Sequence, residues 1–131
     1  MTSGLTHLNE KGEAHIVDIG DKAETRRRAL ARAELHATPE IVAAILGGTL
    51  KKGDAVAVAR VAGIMAAKKT SDLIPLCHPI PVTKIAVEIE QAGDAVIAVE
   101  VTVETTGRTG VEMEALTAAT MAALTLYDMA K

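Results

Sequence analysis

From Ala115 to Tyr127 the chain carries no charged residue, and apolar or small side chains stand on every face of the helix that this stretch would form. The pattern of "VEMEALTAATMAALTLYDMAK" predicts one long helix running to the last residue given. A helix that is apolar all round must be covered all round. A chain of 131 residues makes one domain with a modest core, hard pressed to do that alone. Packing of this helix between subunits is therefore expected.

The rest of the core points the same way. Apolar residues make up 49% of the chain, yet Phe and Trp are absent and Tyr127 is the single aromatic. Ala, Val, Ile, Leu and Met must build the interior, and small side chains each bury little area.

Periodicity gives the remaining elements. In "RALARAELHA", Ala29, Ala31, Ala33, Leu35 and Ala37 alternate with Arg32, Glu34 and His36. Its composition suits a helix, but period two predicts a half-buried strand. "TPEIVAAILGG" predicts a helix, with Thr38 as cap, Pro39 at the first position and Gly47–Gly48 at the end. "KKGD" is a turn whose Asp54 can cap "AVAVARVAGIMAAKK", a segment whose length favours a buried helix although its valines suit a strand. A proline-fenced loop, "SDLIPLCHPIP", follows. Then "VTKIAVEIEQ" and "AVIAVEVTVE" alternate cleanly about "AGD", the strongest hairpin signal in the chain. Mixed elements with antiparallel pairing define an α+β fold. No repeat or linker divides the chain, so residues 1–131 read as one domain, with the polar segment 1–12 expected to be loose.

Charge and composition exclude several classes. The net charge is −3 with both signs dispersed, unlike the basic footprint of a nucleic-acid binder. No apolar run is long enough to span a bilayer, and the first residues lack the apolar centre of a secretory signal. One cysteine cannot form an internal disulfide, which fits a cytoplasmic setting.

The groups able to do chemistry are few. Cys77 and His78 are adjacent in the proline-rich loop. Adjacent side chains make a poor metal pair, and no second Cys or spaced His completes a zinc set. They read either as a small buried thiol beside a loop histidine, or as an imidazole held by flanking prolines for binding or proton transfer. "TGRTGVEME" places Gly107, Arg108 and Gly110 at a helix start, without the spacing of a Walker motif. It reads equally as a phosphate-binding helix N-terminus or as a turn with first-turn carboxylates. Lys51, Lys52, Lys68 and Lys69 are ordinary surface lysines on composition alone. Asp128 and Lys131 share a helix face as an i, i+3 pair, a type that contributes about 0.2–0.5 kcal/mol. Glu114 and Asp128 are fourteen residues apart, or about 21 Å along a helix axis. If both serve one small ligand, either the site lies between subunits or the pocket is long.

Several longer strings carry a resemblance. "LTHLNEKGEAHIVDI", "KGD", "ARVAGIMAAKKTSDLIPLCHP", "TGRTGVEMEALTAAT" and "ALTLYDMAK", in this order and across nearly the whole chain, resemble the cyclic pyranopterin monophosphate synthase family of molybdenum cofactor (molybdopterin) biosynthesis. The resemblance implies a ferredoxin-like antiparallel sheet with helices on one face. It further implies a hexamer built as a trimer of dimers, with active sites at subunit interfaces. The implied reaction is that of a lyase converting 3′,8-cyclised dihydro-GTP, supplied by a preceding radical enzyme, into cyclic pyranopterin monophosphate and pyrophosphate.

Residue roles follow from the same resemblance. Asp128, Lys131, Lys52 and His78 are the expected catalytic residues. Leu76, Cys77, His78, Glu112, Met113, Glu114 and Lys68 are the expected substrate contacts, with Lys68 facing the triphosphate. Lys52 matches the lysine of the family's "KGD", and Lys51 is an added neighbour. No redox cofactor is implied; a Mg²⁺ accompanying the triphosphate is compatible. The family pattern continues past the last helix with another strand and a Gly-rich, Lys-containing tail, whereas this sequence ends at Lys131. Either the protein continues beyond Lys131 or the tail is absent; if it is absent, the expected sheet lacks its last strand and the site one catalytic lysine. Two rivals to the enzyme are a nucleotide-binding relative inactive without that tail, and a purely structural oligomer.

Overall fold

The computed structural model describes residues 24–131. The polar segment 1–12 and the string "LTHLNEKGEAHIVDI" lie outside the described residues. Three strands form one antiparallel sheet: β1 (Thr25–His36), β2 (Lys84–Gly93) and β3 (Val96–Gly107), in the order β1-β3-β2. Four helices complete the fold: α1 (Pro39–Gly47), α2 (Ala55–Lys68), α3 (Thr70–Leu73) and α4 (Glu112–Ala130). Helices α2 and α4 pack on each other and against the same face of the sheet. This open antiparallel sheet with its helical layer is an α+β, ferredoxin-like arrangement.

The alternation in β1 is what makes it a strand. Ala29, Ala31, Ala33 and Leu35 turn toward the helices, while Arg28, Leu30, Arg32 and Glu34 are exposed. Strand β3 lies in the centre, and its Ile97, Val99, Val101 and Val103 have no accessible surface. The hairpin β2–β3 turns at residues 94–95, with a register shift between Gln91 and Gly93. The outer sheet face carries charge across the strands. Arg28 and Lys84 are opposite Glu104 on its two sides, and Arg32 and Glu88 are opposite Glu100.

The caps are where the side chains predict them. The Thr38 hydroxyl accepts from the amide of Ile41, the Asp54 carboxylate accepts from the amide of Ala57, and Gly48 closes α1 in a left-handed conformation. Small residues let α2 and α4 approach closely. A Cβ added to Gly63 would lie 3.3 Å from the Ala118 carbonyl oxygen and from Val87 Cγ2, and 3.4 Å from Ala122 Cβ. The Arg60 guanidinium also donates to the carbonyl of Val87 at 3.0 Å, joining α2 to β2.

Two expectations are refined. The loop after α2 opens with the short helix α3, closed by Ile74 donating to the Thr70 carbonyl at 2.9 Å. Neither α2 nor α4 is covered on all sides within one chain. Helix α2 buries Ala55, Ala59, Gly63, Ala66 and Ala67 but leaves Val58, Val61 and Met65 exposed. Helix α4 buries Ala115, Ala118, Ala119, Ala122 and Leu126, while Met113, Leu116, Leu124 and Tyr127 form an exposed stripe along its length.

Candidate functional site

The loop after α3 is held in place by main-chain bonds that its prolines leave available. The amide of Cys77 donates to the Ile74 carbonyl at 3.1 Å. The Thr105 hydroxyl on β3 donates to the Pro81 carbonyl. Thr83 donates twice to the Glu104 carbonyl, from its amide at 2.8 Å and its hydroxyl at 3.1 Å. Fixed at both ends, the loop lies against the start of α4.

Between them is a pocket of about 250 Å³. Leu76, Cys77 and His78 line one side, and Glu112, Met113 and Glu114 the other. Six residues expected to contact substrate thus share one cavity, although the two sequence segments lie far apart. Ile74, Ile80 and Thr109 also line it and were not anticipated, and Gly110, already singled out at the helix start, joins them. The two isoleucines flank the "PLCHP" run, so their place beside the prolines was the available signal.

The electrostatics of the pocket centre on Glu114. The residue is only 3% exposed, and its Oε1 is buried with no hydrogen-bond partner among the described residues. Burial raises its carboxyl above the ordinary range, and the nearby Glu112 adds to that. Its own backbone N–H and the His78 imidazole oppose the shift. His78 Nδ1 is likewise buried without a partner. Burial also raises the Cys77 thiol, with the Glu114 charge in support. Such a thiol stays protonated and is a poor nucleophile.

Helix α4 has no side-chain cap, and Glu112 and Glu114 stand in its first turn. A methyl group on Gly110 would collide with the Glu112 carboxylate, which therefore lies back over that glycine. Carboxylates occupy the positive end of the helix dipole here.

The remaining expected residues gather elsewhere. At the far end of α4, Lys52 Nζ donates to the Asp128 carbonyl at 2.6 Å and stands 3.7 Å from its Oδ1. Lys131 lines an adjacent cleft with His36 and Tyr127. Lys68 lies in a third depression, beside Lys84. Within one chain the pocket and the Lys52–Asp128 pair are thus separated by the length of the helix, about 21 Å from Glu114 to Asp128.

A cluster of basic side chains around a buried acid was not foreseen. Glu104 is 6% exposed and accepts from Arg26 Nη2 at 2.6 Å and Nε at 3.1 Å, with Lys84 Nζ 3.7 Å away. The Arg26 hydrogen bonds hold its carboxyl below the usual range.

Residues 16–131 match the model of the MoaC family. The chain belongs to the MoaC family. It is 58% identical over 130 residues to a protein of Dinoroseobacter shibae named cyclic pyranopterin monophosphate synthase, covering 98% of this chain and 82% of that one. Proteins of the same name from Herpetosiphon aurantiacus and Listeria monocytogenes are 56% and 57% identical. Those matches cover 97% of this chain and 78% and 79% of the relatives. Membership agrees with the resemblance carried by "DLIPLCHP" and "TGVEMEALTAA". No helix among the described residues is long and apolar enough to cross a membrane.

Proposed function

We propose that this chain is a cyclic pyranopterin monophosphate synthase, a lyase that converts 3′,8-cyclised dihydro-GTP into cyclic pyranopterin monophosphate and pyrophosphate. The observation that carries the reading is the pocket that unites Leu76, Cys77 and His78 with Glu112, Met113 and Glu114. The relatives bearing that name cover nearly all of this chain. The substrate comes from a preceding radical enzyme, and the reading carries a cytoplasmic location with it.

The reaction opens the five-membered ring of the base, closes a pterin ring and forms a cyclic phosphate as pyrophosphate leaves. Protons must move at nitrogen and oxygen atoms, which His78 at the pocket and Asp128, Lys52 and Lys131 at the other helix end can donate and accept. Negative charge develops on departing pyrophosphate, and lysines, Lys68 among them, stabilise it. No net electron transfer occurs, so the chemistry calls for no redox cofactor. A Mg²⁺ would arrive with the substrate triphosphate.

One chain holds the two groups of residues at opposite ends of α4, so the complete site lies between subunits. The exposed stripe of Met113, Leu116, Leu124 and Tyr127 runs from one group to the other. Such a stripe invites burial against another copy. A second subunit lying antiparallel on it would bring its Asp128 end toward the pocket. Further apolar surface on α2, at Val58, Val61 and Met65, supports assembly beyond a dimer, to a hexamer made as a trimer of dimers.

The test is pyrophosphate and cyclic pterin production from the cyclised dihydro-GTP, with Asp128→Asn measured alongside. Turnover by the native chain that disappears in the variant supports the reading. Binding of substrate without turnover by the native chain would replace the enzyme with a nucleotide-binding relative.

A further inference from the structure

The inner face of β3 reads Ile97, Val99, Val101, Val103 and then Thr105, five β-branched side chains with no accessible surface. Thr105 has the shape of the valines before it, so packing at this position does not call for a hydroxyl. Burying a hydroxyl without a partner is costly. Its partner is the carbonyl of Pro81, to which it donates.

The bond falls just past the end of the β2–β3 ladder. Lys84 and Glu104 are the last paired residues, and Thr83 still donates to the Glu104 carbonyl. Beyond them, loop residues 78–81 and strand-end residues 105–109 wall a depression of about 310 Å³. Side-chain packing does not fill that space, and the Thr105 hydroxyl ties the loop to the strand beside it.

What Thr105 holds is stiff. Pro79 and Pro81 have a fixed φ. His78 and Ile80 each precede a proline, which confines them to extended conformations. Every residue from His78 to Pro81 is thus restricted, and the run acts as a short strut. Its other end is pinned where the Cys77 amide donates to the Ile74 carbonyl at 3.1 Å. His78 and Ile80 both line the pocket that faces α4, whereas Thr105 is not among its lining residues.

We infer that Thr105 is a positioning residue: its hydroxyl, acting through the strut that ends at Pro81, sets where the His78 imidazole stands in the pocket. The inference rests on the proton-transfer role proposed for His78 and goes beyond it by naming the residue that holds that group in place.

The experiment removes the hydroxyl at constant shape with Thr105→Val and restores it with Thr105→Ser. Pyrophosphate release from the cyclised dihydro-GTP is measured for both, and for Thr105→Val added to His78→Gln. Thr105→Val alone should lower kcat/KM about tenfold or more, because proton transfer is sensitive to small misplacement. Thr105→Ser should stay within about threefold of native. In the His78→Gln background, Thr105→Val should change kcat/KM by less than about threefold, since residues acting as one unit are not additive. A merely structural role would give the same factor in both backgrounds, and that result would overturn the inference, as would native kcat/KM in Thr105→Val. The second readout is NMR of the His78 ring, assigned with His78→Gln. Its signals should shift in Thr105→Val and return in Thr105→Ser; unshifted signals would overturn the inference. This readout needs no turnover, so an inactive native chain would sink the enzyme reading and leave the ring signals to decide the role of Thr105. Should Thr105→Val fail to fold, the native hydroxyl proton decides. Buried and bonded, it should exchange slowly enough with water to be observed, and its absence would count against the tie to Pro81.

Discussion

Lys52 Nζ lies 2.6 Å from the main-chain oxygen of Asp128 and 3.7 Å from its carboxylate, so one ammonium group serves both the end of α4 and the side chain expected to be catalytic. The turn between α1 and α2 is thereby tied to the last helical turn. Both side chains are well exposed, at 44% and 65%, so the carboxylate pair adds little to stability. Lys52→Ala should cost about 1 kcal/mol or less in urea unfolding. Its turnover should fall by about a hundredfold or more. A variant with near-native turnover would show that Lys52 only anchors the helix end.

Glu114 should set function against stability. Its pKa is raised by burial, so the folded protein holds that proton more tightly than the unfolded chain does. The favourable contribution is full below the unfolded pKa and is lost as pH rises through the folded value. At pH 8 the empty protein therefore carries an unfavourable buried charge that Glu114→Gln removes. The variant should melt higher than native at pH 8, and the difference should shrink toward pH 4. A lower melting temperature at pH 8 would show that the carboxylate is satisfied in the native protein.

The acid near the end of the central strand should behave oppositely. Arg26 depresses the Glu104 pKa, so its stabilisation is present above the ordinary carboxylate value and is lost as pH falls through the folded value. Glu104→Gln should lower stability at pH 7 and lower it less at pH 3. Chemical denaturation at the two pH values would decide, and equal losses at both would remove Arg26–Glu104 as the cause.

Gly63 marks the closest approach between α2 and its neighbours. A larger side chain there meets Ala118, Ala122 and Val87 at once. Gly63→Val should destabilise by about 1–3 kcal/mol, because a well-packed interface absorbs extra methyl groups poorly. Thermal unfolding checks it. An unchanged midpoint would mean that α2 and α4 separate without cost.

Much of the fold was legible before any tertiary structure. Ala29, Ala31, Ala33 and Leu35 announced a strand against the helical composition around them, and the structure keeps them on the inner face of β1. The pair β2–β3 followed from alternation about "AGD", although the register shift beside Gln91 did not. The covering of α2 was overestimated, since an apolar sequence does not say which face meets its own chain. For the candidate site, Leu76, Cys77, His78, Met113 and Glu114 were named through resemblance. Spacing alone left His78 between a loop residue and a functional one.

The sequence by itself determined the local elements, because periodicity of two or 3.6 and capping side chains act over a few residues. Thr38 and Asp54 mark their helix starts without help from the rest of the chain. Only the tertiary structure decided that the "LCHP" loop faces the first turn of α4, and that Lys52 reaches Asp128 at its last. Those meetings depend on how the sheet order β1-β3-β2 and the close α2–α4 contact fold distant segments together. The unpartnered oxygen of Glu114 belongs to the same class: its sequence position puts a carboxylate in a helical first turn, and packing alone buries it beside His78.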